Sequence, residues 1–202
     1  MTHSPAETTA IRGKLHAFLV LGRMSNLPTV WSNVTLAWIL TGARSLWELA
    51  GLLVAGSLMY TGGMFLNDYF DVEFDTAHRP ERPIPSGQIR LAEVGTCGAV
   101  MMAIGWLAIS LHGFIPALYA TLLTGFILLY NKWHKGNPLS PWIMAGCRIF
   151  LIFSAAAAFN PEKAVPSSNV LWSAVAVGSY IVGLTYIAKA ESAPVKTKSA
   201  YG

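Results

Sequence analysis

The amino-acid sequence predicts an all-α protein, a polytopic bundle of about six membrane-spanning helices. Three observations carry that prediction. Only 12% of the residues are charged while 53% are hydrophobic, the mean hydropathy is +0.47, and apolar runs long enough to cross a bilayer recur along the chain. A soluble domain carries about 25% charged residues; half that density cannot cover a globule with polar surface, whereas lipid needs no such cover. Disordered, collagen-like and disulfide-scaffold classes are excluded on the same grounds. Cys97 and Cys147 both lie in apolar runs, where a thiol behaves as a small hydrophobe. The net charge of +4 fits basic loops on one side of a membrane. No basic patch with interleaved aromatics accompanies it, so membrane lipid is an expected partner and nucleic acid is not.

The expected spans are residues 17–41, 46–68, 92–111, 114–131, 140–159 and 168–190. The N-terminal stretch runs into the first apolar segment without a small-residue cleavage site, so the first helix is expected to be retained. Gly42 follows the first span, Gly113 and Pro116 mark the turn between the third and fourth, and Pro138 and Pro141 precede the fifth; glycine and proline punctuate helices in this way. Trp47, Trp133, Trp142 and Trp172 fall near span edges, as in an interfacial belt. Residues 1–190 are expected to form one membrane domain and 191–202 a short polar tail. Arg12, Lys14, Arg23, Arg79, Arg82, Arg90, Lys132, Lys135, Lys189, Lys196 and Lys198 fall on the side of the N-terminus, and only Arg44 and Lys163 on the other. That bias places both termini, and the 69–91 connection, in the cytoplasm of a cell whose inner membrane holds the chain.

The three aspartates of the chain, Asp68, Asp71 and Asp75, fall in one run, Asn67 to Asp75. If the second span continues through it, positions 68, 71 and 75 are spaced i, i+3, i+7, and 67, 71 and 75 are spaced i, i+4, i+8, so their oxygens share a face. Three carboxylates and an amide oxygen in so small a space repel one another without a cation. Mg²⁺ suits them, being held by oxygen ligands and commonly by one or two carboxylates plus substrate phosphates. Arg79 and Arg82 follow within the run His78 to Gly87 and offer forked donors for phosphate oxygens, while Pro80, Pro83 and Pro85 deny that segment a helix. Acidic helix end, basic proline loop and apolar spans together describe a pocket for a metal-bound phosphate with a greasy remainder. The plainer alternative is a solvated helix end with positive-inside arginines.

These residues resemble the UbiA superfamily of intramembrane prenyltransferases, whose first signature is an Asn-Asp-x-x-Asp-x-x-x-Asp run followed by a loop close to Arg-Pro-x-Pro-Ser-Gly. NDYFDVEFD and RPIPSG match it almost position for position. Arg23 with Asn26, Leu27, Pro28 and Asn33 is similar to the first-helix segment, Tyr130 with Lys132 to the basic end of the fourth helix, and Gly183 to Tyr186, more weakly, to the EboC-like branch. The resemblance implies the N-terminal two-thirds of a nine-helix fold. It also implies Mg²⁺-dependent transfer of a prenyl group from a prenyl diphosphate to a lipophilic or aromatic acceptor within the membrane. Asp68, Asp71 and Asp75 would be catalytic, Asn67 would join them on the metal, and Arg79, Arg82, Arg23, Lys132 and Arg148 would bind the diphosphate. Such a family usually adds a second aspartate-rich motif after the sixth helix, and this chain has no aspartate beyond Asp75. The alternative reading is therefore an incomplete, inactive homologue that binds prenyl diphosphate or a membrane partner.

Arg148, inside the fifth span, costs about 2.5–3.5 kcal/mol in lipid and should face the bundle interior, contacting a substrate phosphate, the acceptor or a helix carbonyl. Arg23 and Lys132 could equally be snorkelling charges. His78, His112 and His134 have no zinc-type spacing. Gly62 and Gly63 are expected to permit close helix contact. A CDP-alcohol phosphotransferase also uses spaced aspartates in membrane helices, but the glycines of its motif are missing from NDYFDVEFD.

Overall fold

Apolar runs separated by glycine and proline fold here into helices and little else. The computed structural model describes residues 5–163 and 165–191, and among these it holds eight α-helices and one 3-10 turn. The helices are α1 (Pro5–Leu21), α2 (Leu27–Thr41), α3 (Leu46–Phe70), α4 (Val72–His78), α5 (Leu91–Ser110), α6 (Phe114–Trp133), α7 (Ser140–Phe159) and α8 (Ser168–Glu191). Five of them, α3, α5, α6, α7 and α8, are long and apolar enough to cross a membrane. The expected tail lies, beyond Glu191, outside the described residues.

The first expected span, 17–41, is not one helix. It breaks after Leu21 into the 3-10 turn Met24–Asn26 and then α2. Arg23 takes the left-handed conformation, φ 44° and ψ 49°, which costs an L-residue and stops an α-helix. Pro28, in the first turn of α2, starts the next helix without forfeiting a needed N–H. With 15 residues, α2 falls short of the roughly 20 that a span needs.

Small residues set the packing of the bundle. A Cβ on Gly62 would lie 2.7 Å from the Gly98 carbonyl, and one on Gly105 would lie 2.7 Å from the Ala55 carbonyl, so the backbones of α3 and α5 touch, as expected of a stripe of small residues in lipid. The main core joins Val30 and Val34 of α2, Met59 of α3, Leu123 of α6 and Ile152 of α7. A second cluster, Leu21, Phe65, Ile89 and Val94 with Ile84 against it, pins the proline loop to the helices. Trp47, Trp133, Trp142 and Trp172 are all exposed, as an interfacial belt requires.

The second span does not continue through the aspartate run. α3 ends at Phe70, Asp71 caps it with φ −89° and ψ 0°, and α4 starts at Val72. Asp71 N–H still donates to the Asn67 carbonyl and Asp75 N–H to that of Asp71, so the chain turns without losing its hydrogen bonds. Residues 79–90 form no helix, as the prolines dictate, and Gly87 takes a φ of 76° that a side chain would strain.

Candidate functional site

The end of α3, all of α4, the proline loop and the α6–α7 connection meet at one end of the bundle. Asn67, Asp68 and Asp75 are almost wholly buried and Asp71 nearly so. Buried carboxylates need compensation, and basic side chains from three segments supply it. Arg82 Nη1 donates to Asp68 Oδ1 at 3.0 Å and to Asp75 Oδ2 at 2.6 Å. Arg23 Nη2 lies 3.6 Å from Asp68 Oδ1 and donates to Asn67 Oδ1 at 3.3 Å. Arg79 stands 4.0 Å from Asp75 Oδ1, with its guanidinium carbon 5.9 Å from the centre of the Phe74 ring.

A helix continuing through the run would put all three carboxylates on one face; the turn at Asp71 divides them. Asp68 and Asp75 converge on Arg82, whereas Asp71 faces the α6–α7 connection. There Lys135 Nζ is 2.8 Å from Asp71 Oδ1 and His134 Nε2 is 3.5 Å from Oδ2. Burial pushes the Asp71 carboxyl up, but the hydrogen bonds of His134 and Lys135 outweigh it and hold the group below the usual carboxylate range. The hydrogen bond to Asp71 raises His134 against the effect of burial. Burial would lower Arg82, yet its bonds to Asp75 and Asp68 raise it.

Asn67 links this cluster to a cavity. Its Nδ2 donates to Asn131 Oδ1 at 3.4 Å, and Asn131 Nδ2 donates to the Gly63 carbonyl at 2.9 Å. Arg23, Asn131 and Gly63 also line a cavity of about 210 Å³ whose remaining wall includes Val30, Met59, Leu123, Ile127, Met144 and Leu151. Its lining is largely apolar, with Arg23 and Asn131 on the side of the aspartates and Arg148 as a second charged group, the form of a site for an amphiphile.

Of the residues the sequence singled out, Asn67, Asp68, Asp71, Asp75, Arg23, Arg79 and Arg82 come together. Arg148 lines the cavity but bonds Thr29, not the aspartates. Lys132 is exposed, and Lys135 rather than Lys132 reaches Asp71. Asn131, His134 and Lys135 were not singled out as site residues. Asn131 left a trace, an amide at the foot of an apolar span, but His134 and Lys135 resemble any loop charge.

A hard cation fits this donor set. The oxygens are carboxylate and amide, and Asp75 Oδ1 is buried without a hydrogen-bond partner. Among the described residues no three His, Cys, Asp or Glu side chains converge as a metal cluster: Asp68 and Asp75 meet on Arg82, and Asp71 lies on the other side of the turn against Lys135 and His134. Asn67, Asp68, Asp71 and Asp75 are the groups that would hold Mg²⁺.

The model of the UbiA prenyltransferase family matches residues 25–193. The chain belongs to that family. Digeranylgeranylglyceryl phosphate synthase of Ignicoccus hospitalis is 36% identical over 124 residues, covering 59% of this chain and 39% of the relative. The protein of the same name from Methanopyrus kandleri is 31% identical over 157 residues, covering 75% and 56%. The chain thus spans about two-fifths to just over half the length of these relatives. A UbiA homologue from Archaeoglobus fulgidus, solved bound to GPP and Mg²⁺, superposes with a TM-score of 0.69 at 14% identity over 86% of this chain and 62% of that one. That likeness shows the fold: a UbiA-type, multi-pass helical bundle.

Proposed function

We propose that this chain binds a prenyl diphosphate with Mg²⁺ at the aspartate end of the cavity and transfers the prenyl group to a lipid-precursor acceptor inside the membrane. One observation carries the reading: a buried set of carboxylates, bridged by arginines, is joined by the Asn67–Asn131 hydrogen bond to the wall of a largely apolar cavity. Asn67, Asp68, Asp71 and Asp75 would hold Mg²⁺, which when bound neutralises charge that develops on the departing diphosphate. Arg79, Arg82, Arg23 and Lys135 stand beside those carboxylates and supply donors to phosphate oxygens. The prenyl chain lies against Val30, Met59, Leu123 and Leu151, and the apolar wall keeps water from the reacting carbon. The names of the relatives favour a glyceryl phosphate acceptor and give no support to an aromatic one. The basic residues gathered at the aspartate end support a cytoplasmic site in an inner membrane.

A second reading, binding without turnover, is favoured by the confinement of the aspartates to residues 68–75. Two assays in nanodiscs separate the readings. Asp71→Ala should abolish Mg²⁺-dependent binding of geranyl diphosphate; unchanged binding removes the site assignment. Radiolabel transfer to a prenylglyceryl phosphate by the unmodified chain supports the first reading, and binding without transfer supports the second.

A further inference from the structure

Two arginines line the one cavity described above, and they are placed differently. Arg23 stands at its aspartate end, 3.6 Å from the buried Asp68 carboxylate, so its charge is already matched. Arg148 lies on α7, eight residues beyond Ser140, about 12 Å along the helix at 1.5 Å per residue. Ser140 follows the connection whose Lys135 reaches Asp71, so the Arg148 backbone is set back from that connection, and its side chain reaches across to the first turn of α2 rather than to the carboxylates. Its one hydrogen-bond partner among the described residues is the Thr29 hydroxyl of α2, accepting from Nη2 at 2.9 Å, and no carboxylate pairs with it there. A guanidinium at membrane depth that faces a cavity, held by a neutral hydroxyl and matched by no acid, is a place for an anion.

We infer that Arg148 binds the anionic head of the second substrate, a phosphate monoester on a lipid, and so selects the acceptor. The inference rests on the transferase reading above and adds to it a separate position for each of two phosphate-bearing molecules. The donor diphosphate belongs to the carboxylates and Arg82; the acceptor phosphate sits at Arg148, which lines the cavity and bonds none of those carboxylates. Thr29 accepts one hydrogen bond from the guanidinium and carries no charge of its own, so it neither neutralises Arg148 nor competes for the anion. The fork of Arg148 suits a phosphate monoester, to which it offers two parallel donors. A neutral acceptor would leave its charge unpaired in a low-dielectric wall.

The test uses the full chain in nanodiscs and three probes: hexadecylglycerol phosphate, neutral hexadecylglycerol, and geranyl diphosphate with Mg²⁺. The unmodified chain should prefer the phosphate amphiphile to its neutral analogue by about tenfold or more, the size of a charged hydrogen bond. Arg148→Gln should remove that preference, weakening the phosphate amphiphile far more than geranyl diphosphate, and Arg148→Lys should restore part of it. Thr29→Val should keep the preference, which separates a ligand role from a merely structural pairing. The inference is overturned if Arg148→Gln weakens geranyl diphosphate as much as the phosphate amphiphile, or if Thr29→Val reproduces its effect. Failure of the unmodified chain to bind geranyl diphosphate with Mg²⁺ would sink the transferase reading. Donor binding without any preference for the phosphate amphiphile would sink the Arg148 assignment alone.

Discussion

Arg82 sits 2.6 Å from Asp75, from the first turn of a loop that the two prolines after it keep out of a helix. The same nitrogen reaches Asp68, so one guanidinium closes the space between two buried carboxylates. Removing it leaves both charges buried and less well matched. Arg82→Gln should therefore lower stability in detergent by about 1.5–3 kcal/mol, the range for hydrogen bonds to charged groups. Added Mg²⁺ should raise the melting temperature of the variant more than that of the unmodified chain, because the ion takes over the lost compensation. Equal responses to Mg²⁺ would contradict a shared site.

Lys132 and Lys135 lie one turn apart, yet they are not equivalent. Both are exposed, but Lys135 Nζ is 2.8 Å from Asp71 Oδ1 and 4.1 Å from the centre of the Phe74 ring. Lys135→Gln should weaken Mg²⁺-dependent binding of geranyl diphosphate several-fold more than Lys132→Gln does, measured by equilibrium binding in nanodiscs. The reverse order would contradict a role for Lys135 beside Asp71.

The contact of α3 with α5 depends on missing side chains. Gly105→Ala puts a methyl 2.7 Å from the Ala55 carbonyl and from Met59 Cγ, and should cost about 1–3 kcal/mol as overpacking. Gly51, on the same α3, has nothing within 4 Å of a Cβ. Gly51→Ala should be neutral or slightly stabilising, since alanine is the better helix former. Thermal melts of the two variants in one detergent check the contrast.

Reporter fusions test the orientation. A fusion at residue 88 should report a cytoplasmic location and one at residue 163 the opposite side, as the distribution of basic residues requires. The inverted pattern would move the proposed site to the other face of the membrane.

Much of the architecture was legible because lipid imposes a simple rule: long apolar runs become helices, and Gly42, Gly113 and Pro141 end or begin them. The aspartate run was legible because its carboxylates lie together in a chain that has no others of their kind. What could not be read was tertiary. Arg23 stops the first helix by adopting a left-handed backbone, and a hydropathy run passes straight over Gly22 and Arg23. Asp71 turns away from Asp68 and Asp75 because a half-turn in the backbone intervenes, a detail that ideal helical spacing does not contain. Lys135 and His134 reach Asp71 only because α6 returns beside the end of α3.

The most direct test of the account is a high-resolution map of the chain in nanodiscs with Mg²⁺ and geranyl diphosphate. The account predicts metal density against the Asp68, Asp71 and Asp75 oxygens, with Arg82 turned from at least one carboxylate onto the phosphates. Arg82 still bridging Asp68 and Asp75, with no metal beside them and the ligand elsewhere, would contradict it.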